Sequence, residues 1–477
     1  MKNKAYKLII LPHWYCFIFL FFFCIFSSCQ KDTFITSQNA QLSTSLDSLK
    51  YDTVFTSIGS ITQSFKISNL NNQKLLLNSV KLMNGTSSSF KININGNPAT
   101  EVDNIEIAAN DSMYVFVTAK IDPTLSNLPF IVKDSILISF NGNKRFVQLE
   151  AYGQNANFLR NRILKGNITW TNNLPYVILG SLQIDTTASL TIEAGCKIFS
   201  HANSPFIVDG NLIVNGTKQH PVIFTGDRLD EDYKDLPYSW AGIYFRGNSF
   251  NSVLNYTTIK NAFQAVVAEK PSINANPKLI LHQCIIDNAF DAGLLCVNSS
   301  AQVDNSLITN CGTHISLTYG GNYKLTNCTV EAYSNKFITH KKPVLVVSNA
   351  IVTGNTTVSA DLNSVFRNCI FWGDNGIVDN EVIVKKDGSN IYNVIFDHCL
   401  YKSIIDPSNS TITSCIKNIN PMFDNIDITK NLYDFHISAS NAPGINNGIS
   451  GTGFVFDLEG NNRSVGIVDI GCYEKQQ

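Results

Sequence analysis

From Leu254 to Ser403 apolar and polar positions recur in a fixed short order. Seven segments align without gaps: LNYTTIKN, LHQCIIDN, VDNSLITN, LTNCTVEA, VSNAIVTG, FRNCIFWG and FDHCLYKS. Their first residues, Leu254, Leu281, Val303, Leu325, Val347, Phe366 and Phe396, are all apolar. The fourth residue is always small: Thr257, Cys284, Ser306, Cys328, Ala350, Cys369 and Cys399. The sixth is apolar again, from Ile259 and Ile286 to Phe371 and Tyr401. The segments recur at about 22 residues, the signature of a repeat architecture. The first column falls on one parity and the fourth and sixth on the other. A straight strand keeps one parity on its inward face, so each segment bends at its third residue. That column reads Tyr256, Gln283, Asn305, Asn327, Asn349, Asn368 and His398. Asn tolerates the left-handed backbone of a sharp bend, and stacked amides hydrogen-bond from rung to rung. The pattern therefore predicts a solenoid of short parallel strands meeting at an amide ladder.

This arrangement resembles the right-handed parallel β-helix superfamily typified by pectate lyases. The handedness is what the resemblance implies. Over residues 160–415 the chain is expected to form this solenoid, its opening coils carried by Gly-bounded runs such as LTIEAGCKI.

Before it, over 51–155, short alternating strands are separated by turn signals at Asn71-Asn72, Asn95-Gly96 and Asn141-Gly142. That spacing predicts an antiparallel sandwich. It resembles the immunoglobulin-like domains of Bacteroidota surface lipoproteins. The fold class is thus all-β: an N-terminal immunoglobulin-like β-sandwich followed by a β-helix. After the solenoid, residues 416–477 resemble the choice-of-anchor Q module. The matching stretches are Pro421-Met422-Phe423, Ala442 to Gly448, Asp457 to Arg463 and Asp469 to Glu474, with Ala442 and Cys472 replacing the usual Ser and Ala. The resemblance implies a C-terminal cap.

The start of the chain is a targeting segment. Lys2, Lys4 and Lys7 precede the apolar run Phe17–Phe26, and Phe26-Ser27-Ser28-Cys29 follows. Residues 1–28 read as a signal peptide, and Cys29 resembles the lipidated first residue of a bacterial lipoprotein. Gln30-Lys31-Asp32 resembles a Bacteroidota surface-export signal. The resemblance implies an outer-membrane lipoprotein exposed at the cell surface, with 29–50 as a polar tether. An uncleaved anchor helix over Leu8–Phe26 is the alternative.

Composition supports this reading. Hydrophobic residues make up 44% and charged residues 15% of the chain, and the net charge is −1, which gives no bulk attraction to nucleic acid. Of twelve cysteines, Cys16 and Cys24 lie in the leader and Cys29 would carry lipid, leaving nine. Several occupy the small inward column and read as buried free thiols. Cys369 and Cys399, on neighbouring rungs, are close enough to consider a disulfide.

Candidate chemistry is sparse. One excursion, residues 227–240, combines acids with aromatics: Asp227, Asp230 and Asp232 with Trp240. Together with Trp372 these are the candidate ligand-binding residues, suited to a sugar with or without calcium, although the acids lack calcium-loop spacing. The alternative is a solvated turn with Trp240 in the core. No other cofactor or metal site is indicated. His282–Asp304 and Arg367–Asp397 fall where neighbouring rungs would pair them. The Lys341-Lys342 pair has no acidic partner in the pattern. The fifth column, Thr258, Ile285, Leu307, Thr329, Ile351, Ile370 and Leu400, points outward yet is largely apolar, so a loop or a partner is expected to cover it. No catalytic residue stands out, because β-helix lyases and hydrolases need a base beside carboxylate-neutralising groups or paired acids. The favoured reading is a surface protein that binds a polysaccharide or another protein without cleaving it. A polysaccharide lyase or glycoside hydrolase is the alternative.

Overall fold

The computed structural model describes residues 33–56, 59–122, 130–231, 233–374, 376–463 and 466–476. Cys29 and the leader lie outside the described residues, as does Asp232. Among the described residues no helix is long and apolar enough to cross a membrane. The chain divides into two compact units, one ending at Ala151 and the other continuing from Tyr152.

The first unit is a β-sandwich. One sheet orders the strands Leu42–Thr44, Gln63–Asn69, Ser112–Ala119 and Phe90–Ile94. The other orders Ser48–Phe55, Asn143–Gln154, Phe130–Phe140, Leu75–Leu82 and Glu101–Ile107. Alternation decides the faces: Met113, Val115, Val117 and Ala119 are buried, while Tyr114 and Phe116 are exposed. The Tyr51 hydroxyl donates across the sandwich to the Val117 carbonyl at 2.6 Å. The tether expected over 29–50 does not extend through that range. Leu42–Thr44 pairs with Ile67–Asn69, and the Ile35 amide donates to the Lys74 carbonyl at 2.8 Å. Polar composition misled the expectation, because an edge strand is held by backbone bonds that Ser and Thr make as well as any residue.

The second unit is a parallel β-helix with three sheets; in some coils one long strand, such as Ala292–Asp304 or Thr313–Thr326, runs through sheets one and two, and the last coil adds strands to sheets two and three alone. Sheet one contains Ile243–Phe245, Gln264–Glu269 and Val382–Lys385; sheet two contains Ser252–Asn255, Leu279–His282 and Leu362–Arg367; sheet three contains Thr257–Lys260, Ile285–Asp287 and Ile370–Gly373. The inward column is in register, Leu254 on Leu281, Leu281 on Val303, Val303 on Leu325, Leu325 on Phe366 and Phe366 on Phe396. All six are fully buried. Between sheets two and three the bend residues Tyr256, Gln283, Asn305, Asn327, Asn368 and His398 all have positive φ, from 41° to 53°. The Asn368 amide donates to Asn327 Oδ1 at 2.9 Å, one step of the expected ladder.

One segment of the alignment is not a rung of this column. Leu325 pairs directly with Phe366, and VSNAIVTG is passed over. Leu345–Ser348 lies instead in sheet one, pairing with Ile315–Leu317, and Ala350–Thr353 forms an antiparallel hairpin with Thr356–Ser359. Asn349 has no positive φ, and its side chain holds the Asp387 backbone at both ends. Residue type alone cannot separate a strand followed by a hairpin from a strand followed by a bend.

The C-terminal segment lies along the side of the solenoid, on sheet three. Gln283 Nε2 donates to the Asp457 carbonyl, Arg463 Nε to Asn305 Oδ1, and the Ile449 and Gly471 amides to Asn368. The bend column thus serves as its docking rail. The outward apolar column is covered from within the chain. Leu307 packs with Phe435, Leu458 and Cys472, and Ile370 and Leu400 with Ile470.

Candidate functional site

The excursion over 227–240 is held down by a second amide column at the corner between sheets three and one. Asn261, Asn288 and Asn310 all have positive φ there. Asn288 Nδ2 donates to Asn261 Oδ1 and to the Asp235 carbonyl, and Asn261 Nδ2 to the Lys234 carbonyl. This column was legible as the final Asn of the first three aligned segments. Two of the expected acids, Asp227 and Asp230, are engaged by neighbouring basic side chains. Asp227 pairs with His201 at 2.7 Å, and its buried carboxyl is pushed up by desolvation, with His201 opposing. Asp230 takes both arms of Arg228, whose guanidinium lies 3.9 Å from the Tyr233 ring centre. Among the described residues no three His, Cys, Asp or Glu side chains converge to hold a metal.

Trp240 has 0% exposure, and its indole donates to the Lys260 carbonyl at 2.8 Å. It is a core residue with no ring face for a ligand. The packing of WAGIYF against the next rung decides this, since Ile243 and Phe245 sit beside it in the core. Trp372 is also buried, against Ile370, Leu400 and Ile470. Its edge lines a shallow hollow with Lys402, Asp379 and Asn418.

The excursion instead presents Tyr238. Its ring centre lies 4.7 Å from that of Phe263 and 5.9 Å from that of Phe290, and Phe263 and Phe290 are 6.2 Å apart with planes 25° from parallel. Tyr238 is 54% and Phe290 49% exposed. Tyr238 adopts φ +64°, a left-handed backbone that costs a bulky residue of the order of 1–3 kcal/mol. That conformation holds the ring at the corner instead of in the core. Polar groups flank the rings. Asp291 accepts from Gln264 Nε2 at 2.8 Å and lies 3.9 Å from Lys342 Nζ. So Lys342 does have an acidic partner, supplied by a loop that the repeat pattern did not place. An exposed aromatic cluster with hydrogen-bonding groups at its rim suits a ligand with an apolar face and a polar edge.

Further along the same corner is an ionisable cluster. His340 Nδ1 meets Asp374 at 2.9 Å and Nε2 meets Glu381 at 3.2 Å. Burial alone would lower the His340 pKa, but the two carboxylates outweigh it and hold the imidazolium up to about 9. Asp374, despite its own desolvation, is drawn down to about 2 by His340 and Ser334. Any side chain at Gly373 would overlap His340 and Glu381. Glu331 is buried with neither carboxyl oxygen hydrogen-bonded among the described residues; burial and the nearby Glu381 push its pKa well up. With His340, Glu331 and Glu381 enclosed, this cluster braces the corner. On sheet two, His282–Asp304 and Arg367–Asp397 do pair, at 3.1 and 2.9 Å. Asp304 is fully buried, so that pair is part of the fold. A separate cleft of about 510 Å³ opens on sheet two, with Ser300, Gln302, Asn322, Lys324 and Asn363 among its lining residues.

Residues 162–270 match the family described as Pectate-lyase like beta helix domain. No curated protein matches the chain. Among solved structures, the Vibrio cholerae VesB protease is similar at 14% identity over 24% of this chain and 32% of that one, with a TM-score of 0.18. A family 123 glycoside hydrolase from Clostridium perfringens, studied for glycolipid glycan hydrolysis, shows 12% identity over 27% of this chain and 26% of its own, with a TM-score of 0.18. The ASH / PapD-like domain of human CEP192 shows 7% identity over 32% of this chain and 97% of that domain, with a TM-score of 0.17. The chain spans less than a third of the protease and about a quarter of the hydrolase.

Proposed function

We propose that this protein is a lipid-anchored, surface-displayed β-helix that binds a polysaccharide without cleaving it, and that the sugar is received at the Tyr238–Phe263–Phe290 corner. The exposed aromatic cluster carries the reading. Sugar rings offer C–H faces that stack on aromatic rings and hydroxyls that reach neighbouring polar groups, here Asp291, Gln264 and Lys342. The left-handed backbone at Tyr238 supports it, since strain is retained where surrounding contacts enforce a functional position. The anchor would be lipid on Cys29 in the outer membrane, as the Phe26-Ser27-Ser28-Cys29 motif suggests. No nucleic-acid partner is expected at a net charge of −1.

The test is binding of the purified mature protein to insoluble xylan, chitin and calcium-gelled polygalacturonate, with product assays on the same samples. Tyr238→Ala and Phe290→Ala are expected to weaken retention at least about tenfold, the loss of roughly 1.4 kcal/mol, with melting temperature unchanged. Asn363→Ala, in the sheet-two cleft, is the control. Retention lost in the cleft variant and kept in both aromatic variants would overturn the placement. Sustained release of unsaturated uronates or reducing ends would overturn the binding-only reading.

A further inference from the structure

The small inward column ends as a stack of thiols. Cys328, Cys369 and Cys399 follow one another in register, since Thr329 pairs with Ile370 and Ile370 with Leu400. The last coil adds one more. Asp397 pairs with Thr413 and Leu400 with Ile416, which sets Cys415 directly on Cys399. The Cys399 amide donates to Cys415 Sγ at 3.3 Å. Cys328, Cys369 and Cys399 are buried, while Cys415 is partly exposed. It is the point at which a reagent in solution meets the stack. The coil that carries it is thin: Thr411–Thr413 is exposed along its length, and Ile416–Lys417 closes sheet three.

We propose that Cys399 and Cys415 form a disulfide that staples the final coil to the one before it, with Cys415 as the entry thiol. Neighbouring strands are about 4.8 Å apart, inside the Cα separation of about 4.4–6.8 Å that a disulfide spans. The oxidant is a small-molecule or protein disulfide. The Cys415 thiolate attacks one of its sulfurs, forming a mixed disulfide and expelling one thiolate. The Cys399 thiolate then attacks Cys415 Sγ, forming the Cys399–Cys415 bond and expelling the second. Two protein thiols lose two protons and two electrons, and the oxidant's disulfide becomes two thiols. Cys369, the other neighbour of Cys399, is shielded by the coil above it, so the exchange stops at the terminal pair.

The experiment treats the native, folded mature protein with oxidised glutathione, quenches with an alkylating agent under denaturing conditions and maps peptides by mass spectrometry. The expected product is one peptide pair linked through Cys399 and Cys415, with Cys328 and Cys369 alkylated. Hydrogen exchange at residues 411–417 is expected to slow on oxidation and to recover with reductant. Cys399→Ser is expected to stop the reaction at a glutathione adduct on Cys415. Cys415→Ser is expected to leave Cys399 a free thiol. Wild-type protein that retains only the adduct, or a Cys369–Cys399 link in Cys415→Ser, would overturn the proposal.

Discussion

Replacing Arg463 with Ala tests whether the C-terminal segment is clamped to the solenoid by a single side chain. Arg463 is 1% exposed and makes three contacts: Nε to Asn305 Oδ1 at 2.8 Å, Nη1 to Glu474 at 3.0 Å and Nη2 to the Gly471 carbonyl at 2.8 Å. Glu474 is itself 3% exposed. Removing one partner of a buried ion pair costs about 3–5 kcal/mol where the other group would be left charged, a cost that the other group limits by taking up a proton. The Asn305 and Gly471 oxygens lose their partner as well. Burial pushes the Glu474 pKa up to about 7 even with Arg463 present. Without Arg463 it rises further and the carboxyl stays protonated at neutral pH. The deficit should therefore be larger at pH 8.5, where the wild-type pair is ionised, than at pH 5.5, where Glu474 is already neutral. The assay is urea unfolding at both pH values, with limited proteolysis of residues 418–476 and dye binding to exposed apolar surface. The expected result is early cleavage of the segment and dye binding as Leu307, Ile370 and Leu400 are uncovered. A variant with wild-type stability at pH 8.5 and an uncleaved segment would refute the clamp.

Asn327→Val is expected to cost about 1–3 kcal/mol, since φ there is +53°. Asn327→Gly should recover most of that loss, whereas Asn349→Gly should not differ from Asn349→Val, because Asn349 works through its bonds to Asp387; chemical denaturation of the four variants separates the two roles. His340 has a folded pKa raised to about 9 from 6.5, so its contribution is fully present below pH 6.5 and lost as pH rises through about 9. The melting temperature of wild type should fall across that window relative to His340→Gln, and parallel curves would contradict it. Trp240→Ala should cost about 3–5 kcal/mol through the cavity it leaves, against no measurable change for Tyr238→Ala in the same calorimetric scan. Cys29→Ala should release the protein from the membrane fraction; retention after a carbonate wash would point to an uncleaved apolar helix.

Much of the solenoid was legible because a rung's environment is set by its nearest neighbours, and those recur in sequence. The inward column from Leu254 to Phe396, the bends at Asn305, Asn327 and Asn368, and even the lateral pair of Arg367 with Asp397 follow from period and parity. The outward apolar column also announced that it would be covered. Other features depended on contacts with no periodic trace. Val347 and Asn349 satisfy the pattern by residue type, but the coil closes around them through Phe366, and only the pairing of whole strands decides that. Arg463 finds Asn305 across 158 positions, which no local pattern records. Trp240 and Tyr238 stand two residues apart in one excursion. An isolated bridge to Ala262 seats the first in the core, and a left-handed backbone turns the second outward beside Phe263 and Phe290. Composition marked that loop as aromatic and acidic, but which ring met solvent was a matter of packing. The sequence by itself determined the coil, because hydrophobic burial at strand period is a local property repeated along the chain. The tertiary structure decided what the coil displays, because exposure belongs to neighbours brought together from distant coils.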